Sequence, residues 1–256
     1  MEKLSNAKKK WIRSLHHKKY REKYGYFIGE GDKLFNELTK NQRIPLHTIV
    51  APQEWWENHG NHVSDNPNVE SYTANFKDIE QISTNRTPQP PLMVFESPGD
   101  ISKVPETDQP LVIYLDGIRD PGNLGTIMRI ADWFGHTFLI ASVDTVEWMN
   151  PKVIQASMGS FLRIRIIKCD LDQVISQLDA TRKIIGASMK GEPIDNFDIN
   201  NSILVIGNES QGIREGILPH IHKHLSIPGS GHAESLNAGI ATAIFCYQSY
   251  INKKSH

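Results

Sequence analysis

"DPGNLGTIMRIADWFG", residues 120–135, decides how the chain is read. Aspartate, proline and glycine at 120–122 predict a turn, and Asn123 is placed as the N-cap of a helix over 124–134. Ile127, Ile130, Ala131 and Phe134 recur at helical spacing and predict its buried face. Arg129 falls off that stripe, near a helix start where the macrodipole disfavours a cation. Helical side chains lean toward the N-terminus, so Arg129 is expected to reach over the Asn123 turn. A cation held there points to an anion or a polar substrate.

Working outward, strand and helix patterns alternate. "LVIYLDG" (111–117), "TFLIAS" (137–142), "RIRIIKC" (163–169), "KIIGAS" (183–188), "SILVIGN" (202–208) and "HLSI" (224–227) read as strands. Helices are expected at 151–159, 171–180 and 234–251 besides the one at 124–134. This alternation predicts an α/β fold with a mainly parallel sheet, covered on both faces, with ligands beyond the strands' C-terminal ends. Polar, glycine-rich segments follow three of those ends: "DGIRDPGN", "GNESQG" and "IPGSGHAESLN".

Several chemistries are set aside by what these loops lack. The glycines do not space as G-x-G-x-x-G, and no P-loop lysine is present. Ser235 lacks the frame of a nucleophile elbow. His220, His222 and His224 alternate and would share a strand face, yet no cysteine or carboxylate lies close enough in sequence to complete a metal site. A wet strand edge is the expected reading, with no metal. Taken singly, the three loops read as ordinary turns after strands; converging on one sheet edge, they suggest a small-molecule pocket built largely from main-chain groups, suited to a neutral or zwitterionic cofactor carrying an adenine ring.

At 256 residues, with 39% hydrophobic and 22% charged residues, the chain has the make-up of one or two globular domains. Its net charge of −1 conceals an asymmetry: residues 1–25 hold nine Lys or Arg against two Glu, leaving −8 for the remainder. That basic, aromatic-bearing arm points to an anionic partner, nucleic acid ahead of membrane. Cys169 and Cys246 make no disulfide framework. No signal peptide is read, and the apolar run at 238–247 is too short to span a bilayer, so a soluble, cytoplasmic protein is expected. Six prolines between Pro88 and Pro110 break regular structure and suggest a linker at 99–109. It divides a domain at 1–98 from one at 110–256. In the first, a basic helix leads to a strand and helix at "YFIGEGDKLFNELTKN" and to strands at "HTIVA" and "LMVFE".

"LDGIRDPGNLGTIMRIADWFG", "VIGNESQGI" and "IPGSGHAESLNAGIATAIF", in this order and spacing, resemble the three motifs of the SpoU/TrmH family of RNA 2′-O-ribose methyltransferases, members of the SPOUT class. "PKVIQASMGSFLRIRI" is similar to a further family segment. "KKYREKYGYFIGEGDKLFNE" resembles the start of the family's N-terminal, ribosomal-protein-like substrate-binding domain. The resemblance implies a deep trefoil knot in which 227–237 is threaded through an earlier loop, with Gly229 and Gly231 easing the path.

It also implies S-adenosyl-L-methionine (AdoMet) as cofactor, contacted by Gly207, Ile227 and Leu236, and no metal. Arg129 would stabilise the ribose alkoxide and Asn123 would orient it. Glu209 would fix the second loop and the arginine, and Ser235 and Asn237 would line the gap between methyl and ribose. RNA would be held by Lys8, Lys9, Lys10, Lys18, Lys19 and Arg21 of the arm, and a homodimer would form through helices 124–134 and 234–251. Ribosomal RNA, with guanosine a common acceptor, comes before transfer RNA. The competing expectation is a non-catalytic RNA-binding protein of ribosome assembly. Gln155 replaces a usually basic residue, and Ala238 stands where the family has valine.

Overall fold

Runs of Val, Ile and Leu with no alternating polar face demand cover on both sides, and the sheet of the C-terminal half supplies it. A computed structural model describes residues 2–41, 43–63, 68–99 and 101–254, with the main chain alone over 61–63. Its elements are β1 Glu2–Lys3, α1 Asn6–Ser14, α2 Lys18–Tyr24, β2 Tyr26–Glu30, α3 Asp32–Leu38, β3 Leu46–Ala51, α4 Gln53–Val63, β4 Glu70–Thr73, α5 Phe76–Ile82 and β5 Leu92–Glu96. They continue with β6 Leu111–Leu115, α6 Pro121–Trp133, β7 Phe138–Ala141, α7 Pro151–Ser157, β8 Arg165–Lys168, α8 Leu171–Gln177, β9 Lys183–Pro193, β10 Ser202–Ile206, β11 Lys223–Ser226 and α9 Ala238–Lys254.

The chain forms two compact units, Met1–Gly99 with Met149–Arg163, and Asp100–Trp148 with Ile164–His256. In the first, a five-stranded mixed sheet runs β1-β4-β3-β5-β2. One core joins Ile12 and Leu15 to Ile28, Val50, Val94, Ile79 and Ile82. The later segment 149–163 belongs here for a physical reason. Phe161 packs edge-on against Phe27 and Phe95, and Arg43 donates to the main-chain carbonyls of Phe161 (2.8 Å) and Leu162 (2.9 Å).

The second unit is a six-stranded sheet in the order β11-β9-β10-β6-β7-β8, parallel at every pairing. Val112, Tyr114, Ile140, Ile203 and Val205 share one face with Leu171 and Val174 of α8. Every residue of β6, β7 and β10 is buried, so the opposite face is covered too.

Four sequence expectations shift. The first helix of this unit starts at Pro121, capped by Asp120, whose Oδ1 accepts from Asn123 N at 2.8 Å. Proline at the first helical position costs no hydrogen bond, which makes Asp120 and not Asn123 the cap. The last helix starts at Ala238, because Asn237 Oδ1 accepts from Gly239 N (2.9 Å) and Ile240 N (3.3 Å), and residues 228–236 stay irregular. The strand at 183 runs on to Pro193 with a register break: Gly186 pairs with His224, but Glu192 pairs with Leu225. The three histidines do not share a strand face, since 218–220 is a 3-10 turn containing Pro219 and the strand begins at Lys223. His222 Nδ1 instead accepts from Ile184 N (3.0 Å), and His220 lies 3.2 Å from Asp172.

Candidate active site

The loops after β6, β10 and β11 follow strands of one sheet, in which β6 and β10 are neighbours and β9 separates β10 from β11, and short polar contacts tie them together. "GNESQG" closes on itself: Asn208 and Gly212 exchange both main-chain bonds at 3.0 and 2.8 Å. Asn208 Oδ1 accepts from Ser210 N at 3.0 Å. This leaves Glu209 exposed on the loop. Asn208 Nδ2 donates to Gly117 O (2.8 Å), joining the loop to the end of β6.

Gly207 begins this loop and has no room for a side chain. A Cβ there would stand 2.3 Å from Gly212 C and 2.4 Å from Ile213 N. A similar constraint acts at Gly191, whose Cβ would stand 2.5 Å from the carbonyl of His224 where β9 passes β11. Gly229 and Gly231, expected to ease a crossing, have open space around them and ordinary backbone angles. The steric demand for glycine therefore lies at Gly191 and Gly207.

Asn123, on the first turn of α6, donates through Nδ2 to Glu209 Oε1. Its Oδ1 accepts from Asn237 Nδ2 at 2.7 Å. Glu209, Asn123 and Asn237 thus form one chain of side-chain bonds across all three loops, and Glu209 turns to Asn123 and not to Arg129. Arg129 is exposed on α6. Because α6 begins at Pro121, Arg129 is its ninth residue and lies beyond the first turn, where the macrodipole acts. Its availability rests on its position on the solvent face and not on the dipole. Ser235 and Leu236 are exposed, Ile227 is half-buried, and residues 228–236 hydrogen-bond to no described residue, leaving their main-chain donors and acceptors open.

Beneath these loops lies an ion network that sequence reasoning did not find. Asp116, at 0% exposure, accepts from Arg214 N (2.8 Å) and from its guanidinium. Arg214 also lies 3.2 Å from Asp144, which accepts from Ser142 Oγ at 2.8 Å. The Asp116 carboxylate, through hydrogen bonding, raises the Arg214 pKa above its usual value. Partial burial works to raise the Asp144 pKa, but the Ser142 hydroxyl and Arg214 outweigh it and hold the carboxyl below its ordinary range. An arginine directly after "GNESQGI" was the only available signal, and nothing local names its partner.

On the basic arm, Lys10, Lys18 and Lys19 are exposed. Lys8 is paired with Glu70, and Lys9 with Asp78 at 2.6 Å. Arg21 is 2% exposed and donates to the carbonyls of Leu15 and His16, both at 2.8 Å. It serves the fold and is withdrawn from the phosphate-binding set. Among the described residues no group of three or more metal-ligating side chains occurs, and no helix is long and apolar enough to cross a membrane.

Residues 110–247 match the model of the SpoU rRNA Methylase family, and residues 6–92 match an MRM3-like substrate binding domain. The chain is 29% identical over 251 residues, 96% of its length and 97% of the relative's, to the 23S rRNA (guanosine(2553)-2′-O)-methyltransferase RlmP of Bacillus subtilis. A TrmH-family structure from Porphyromonas gingivalis superposes with a TM-score of 0.80 at 31% identity, covering 96% of this chain and 98% of that one. An AdoMet-bound rRNA methyltransferase from Sinorhizobium meliloti superposes at 0.83 with 26% identity, covering 98% and 97%.

Proposed function

Because the chain belongs to the SpoU rRNA methylase family, we propose that it transfers a methyl group from AdoMet to a ribose 2′-hydroxyl of RNA, ribosomal RNA before transfer RNA. The observation that carries this reading is the Glu209–Asn123–Asn237 chain, which holds three loops together on the same unit as the exposed Arg129. The residues fit the cofactor. Gly207 lets the backbone of Gly212 and Ile213 close over the start of the loop, and the open main chain of 228–236 offers donors and acceptors to an adenine and an amino-acid group. Gly207, Ile227 and Leu236 are the proposed contacts. AdoMet, when bound, supplies an electrophilic methyl on a sulfonium that leaves as a neutral thioether.

The chain's own residues position and polarise. A guanidinium offers donors and no acceptor, so Arg129 stabilises the developing negative charge on the ribose oxygen while the hydroxyl proton passes to solvent, and it does not act as base. Asn123, fixed at both ends of its amide, holds the ribose side of the gap, and Ser235 and Asn237 line it. We assign substrate binding to residues 1–98 and catalysis to 110–256, with 149–163 packed into the first unit, and 227–237 threaded as the family's knot. The exposed Trp133 of α6 and the exposed Ile240, Tyr247 and Ile251 of α9 support a homodimer through these helices. The cytoplasm is the proposed place of action, and guanosine is the first acceptor to examine.

The test incubates the purified protein with labelled AdoMet and total RNA from cells lacking the gene, then identifies the labelled nucleoside. Label in one 2′-O-methylated nucleoside is expected; no label and no AdoMet binding by calorimetry would leave a non-catalytic RNA binder. Arg129→Ala should lower the transfer rate by about 10²–10³ with AdoMet affinity nearly unchanged.

A further inference from the structure

Helix α2 carries aromatic residues that neither the fold nor the methyl-transfer site uses. His17, Tyr20 and Tyr24 succeed one another along one side of it. The His17 and Tyr20 rings meet edge-on at 6.5 Å, and those of Tyr20 and Tyr24 lie nearly parallel, 5.9 Å apart at 16°. Tyr24 is 37% exposed, His17 is exposed and Tyr20 half-buried. Lys19 and Lys23 occupy the adjoining row, both exposed, and the Lys23 ammonium stands 5.3 Å from the centre of the Tyr24 ring. Buried Arg21 pins the helix to the carbonyls of the turn before it, so the row is held in place before any partner arrives.

We propose that this row is a stacking platform for unpaired bases of single-stranded RNA, with Lys19 and Lys23 neutralising the phosphates beside it. The proposal rests on RNA being the substrate and says which form of it the N-terminal unit takes. Near-parallel rings beside exposed cations match the two surfaces of a single strand, base face and phosphate, whereas a duplex hides its base faces. A lipid surface fits poorly, because "KKYREKY" offers no aliphatic side chain to insert.

The test measures the affinity of the full chain for labelled oligouridylate by fluorescence anisotropy over a series of KCl concentrations. Tyr24→Leu, and Tyr20→Leu with it, should weaken binding by about tenfold or more without altering the salt slope, and Tyr24→Phe should restore it. Lys19→Gln and Lys23→Gln should each reduce the slope by about 0.7. Unchanged affinity in Tyr24→Leu overturns the platform, as does a Phe variant as weak as the Leu variant, or equal binding of duplex RNA or of phosphatidylserine vesicles. Wild-type methyl transfer to ribosomal RNA, measured alongside, separates the two claims: transfer with unaffected tyrosine variants sinks the platform alone, and no transfer and no RNA binding sinks both.

Discussion

Asn123 donates one amide hydrogen to Glu209 and accepts another from Asn237, residues 86 and 114 positions away. Both polar ends of the side chain are spent on holding loops together, so Asn123→Ala should separate them. We expect transfer to fall by about tenfold or more, with thermal stability little changed because the site is exposed. Arg214 is different. Its removal leaves the fully buried Asp116 carboxylate with a single main-chain donor, and Arg214→Met should cost about 2–3 kcal/mol in urea unfolding. The cost stays below that of a fully buried pair because the arginine is itself partly solvated. Asp116→Asn should cost less, since a neutral amide carries a smaller desolvation penalty. That Asn123 belongs with the three loops was legible in its motif. The role of Asp116 was not, because an aspartate closing a strand looks the same whether it faces water or an arginine.

Helices α6 and α9 pack together, and between them Cys246 Sγ lies 3.9 Å from His136 Nε2. Burial holds His136 at about 4, against an ordinary 6.5, and pushes the Cys246 thiol up to about 12. Both groups are therefore neutral at pH 7, and the thiol is inert. The unfolded chain binds a proton at His136 near pH 6.5 while the folded chain resists until about 4, so stability is full above 6.5 and is lost as pH falls through that window. The loss is on the order of 2–3 kcal/mol, read from urea midpoints across the pH range. His136→Gln should remove most of that slope; an unchanged slope would place the proton elsewhere. His47, lowered chiefly by burial, adds a smaller contribution of the same sign. At this scale the sequence was informative about where helices lie and less so about where they start. Periodicity reports the buried face, but Asp120 and Asn237 cap through bonds that only local backbone geometry decides.

Trp133 is 85% exposed on α6, and α9 leaves Ile240, Tyr247 and Ile251 in water at helical spacing. A chain so arranged should sediment as a dimer at micromolar concentration, and Trp133→Glu with Tyr247→Glu should yield monomer. A wild-type monomer would count against the shared helix face. In the C-terminal unit the succession of strands and helices, the parallel sheet and the three loops at its edge were readable from residue order alone, whereas β1, α4, β4 and α5 of the N-terminal unit were not. Hydrophobic period and glycine-rich turns are local signals, and a parallel sheet follows from their alternation. Tertiary structure alone decided that 149–163 joins the N-terminal unit, that Arg21 and Lys9 serve the fold, and that Arg214 closes on Asp116. Apart from Arg21, whose carbonyl partners lie five and six residues back, each depends on groups distant in sequence meeting; the strength of a polar contact is set by how far water is excluded from it, which no run of residues records.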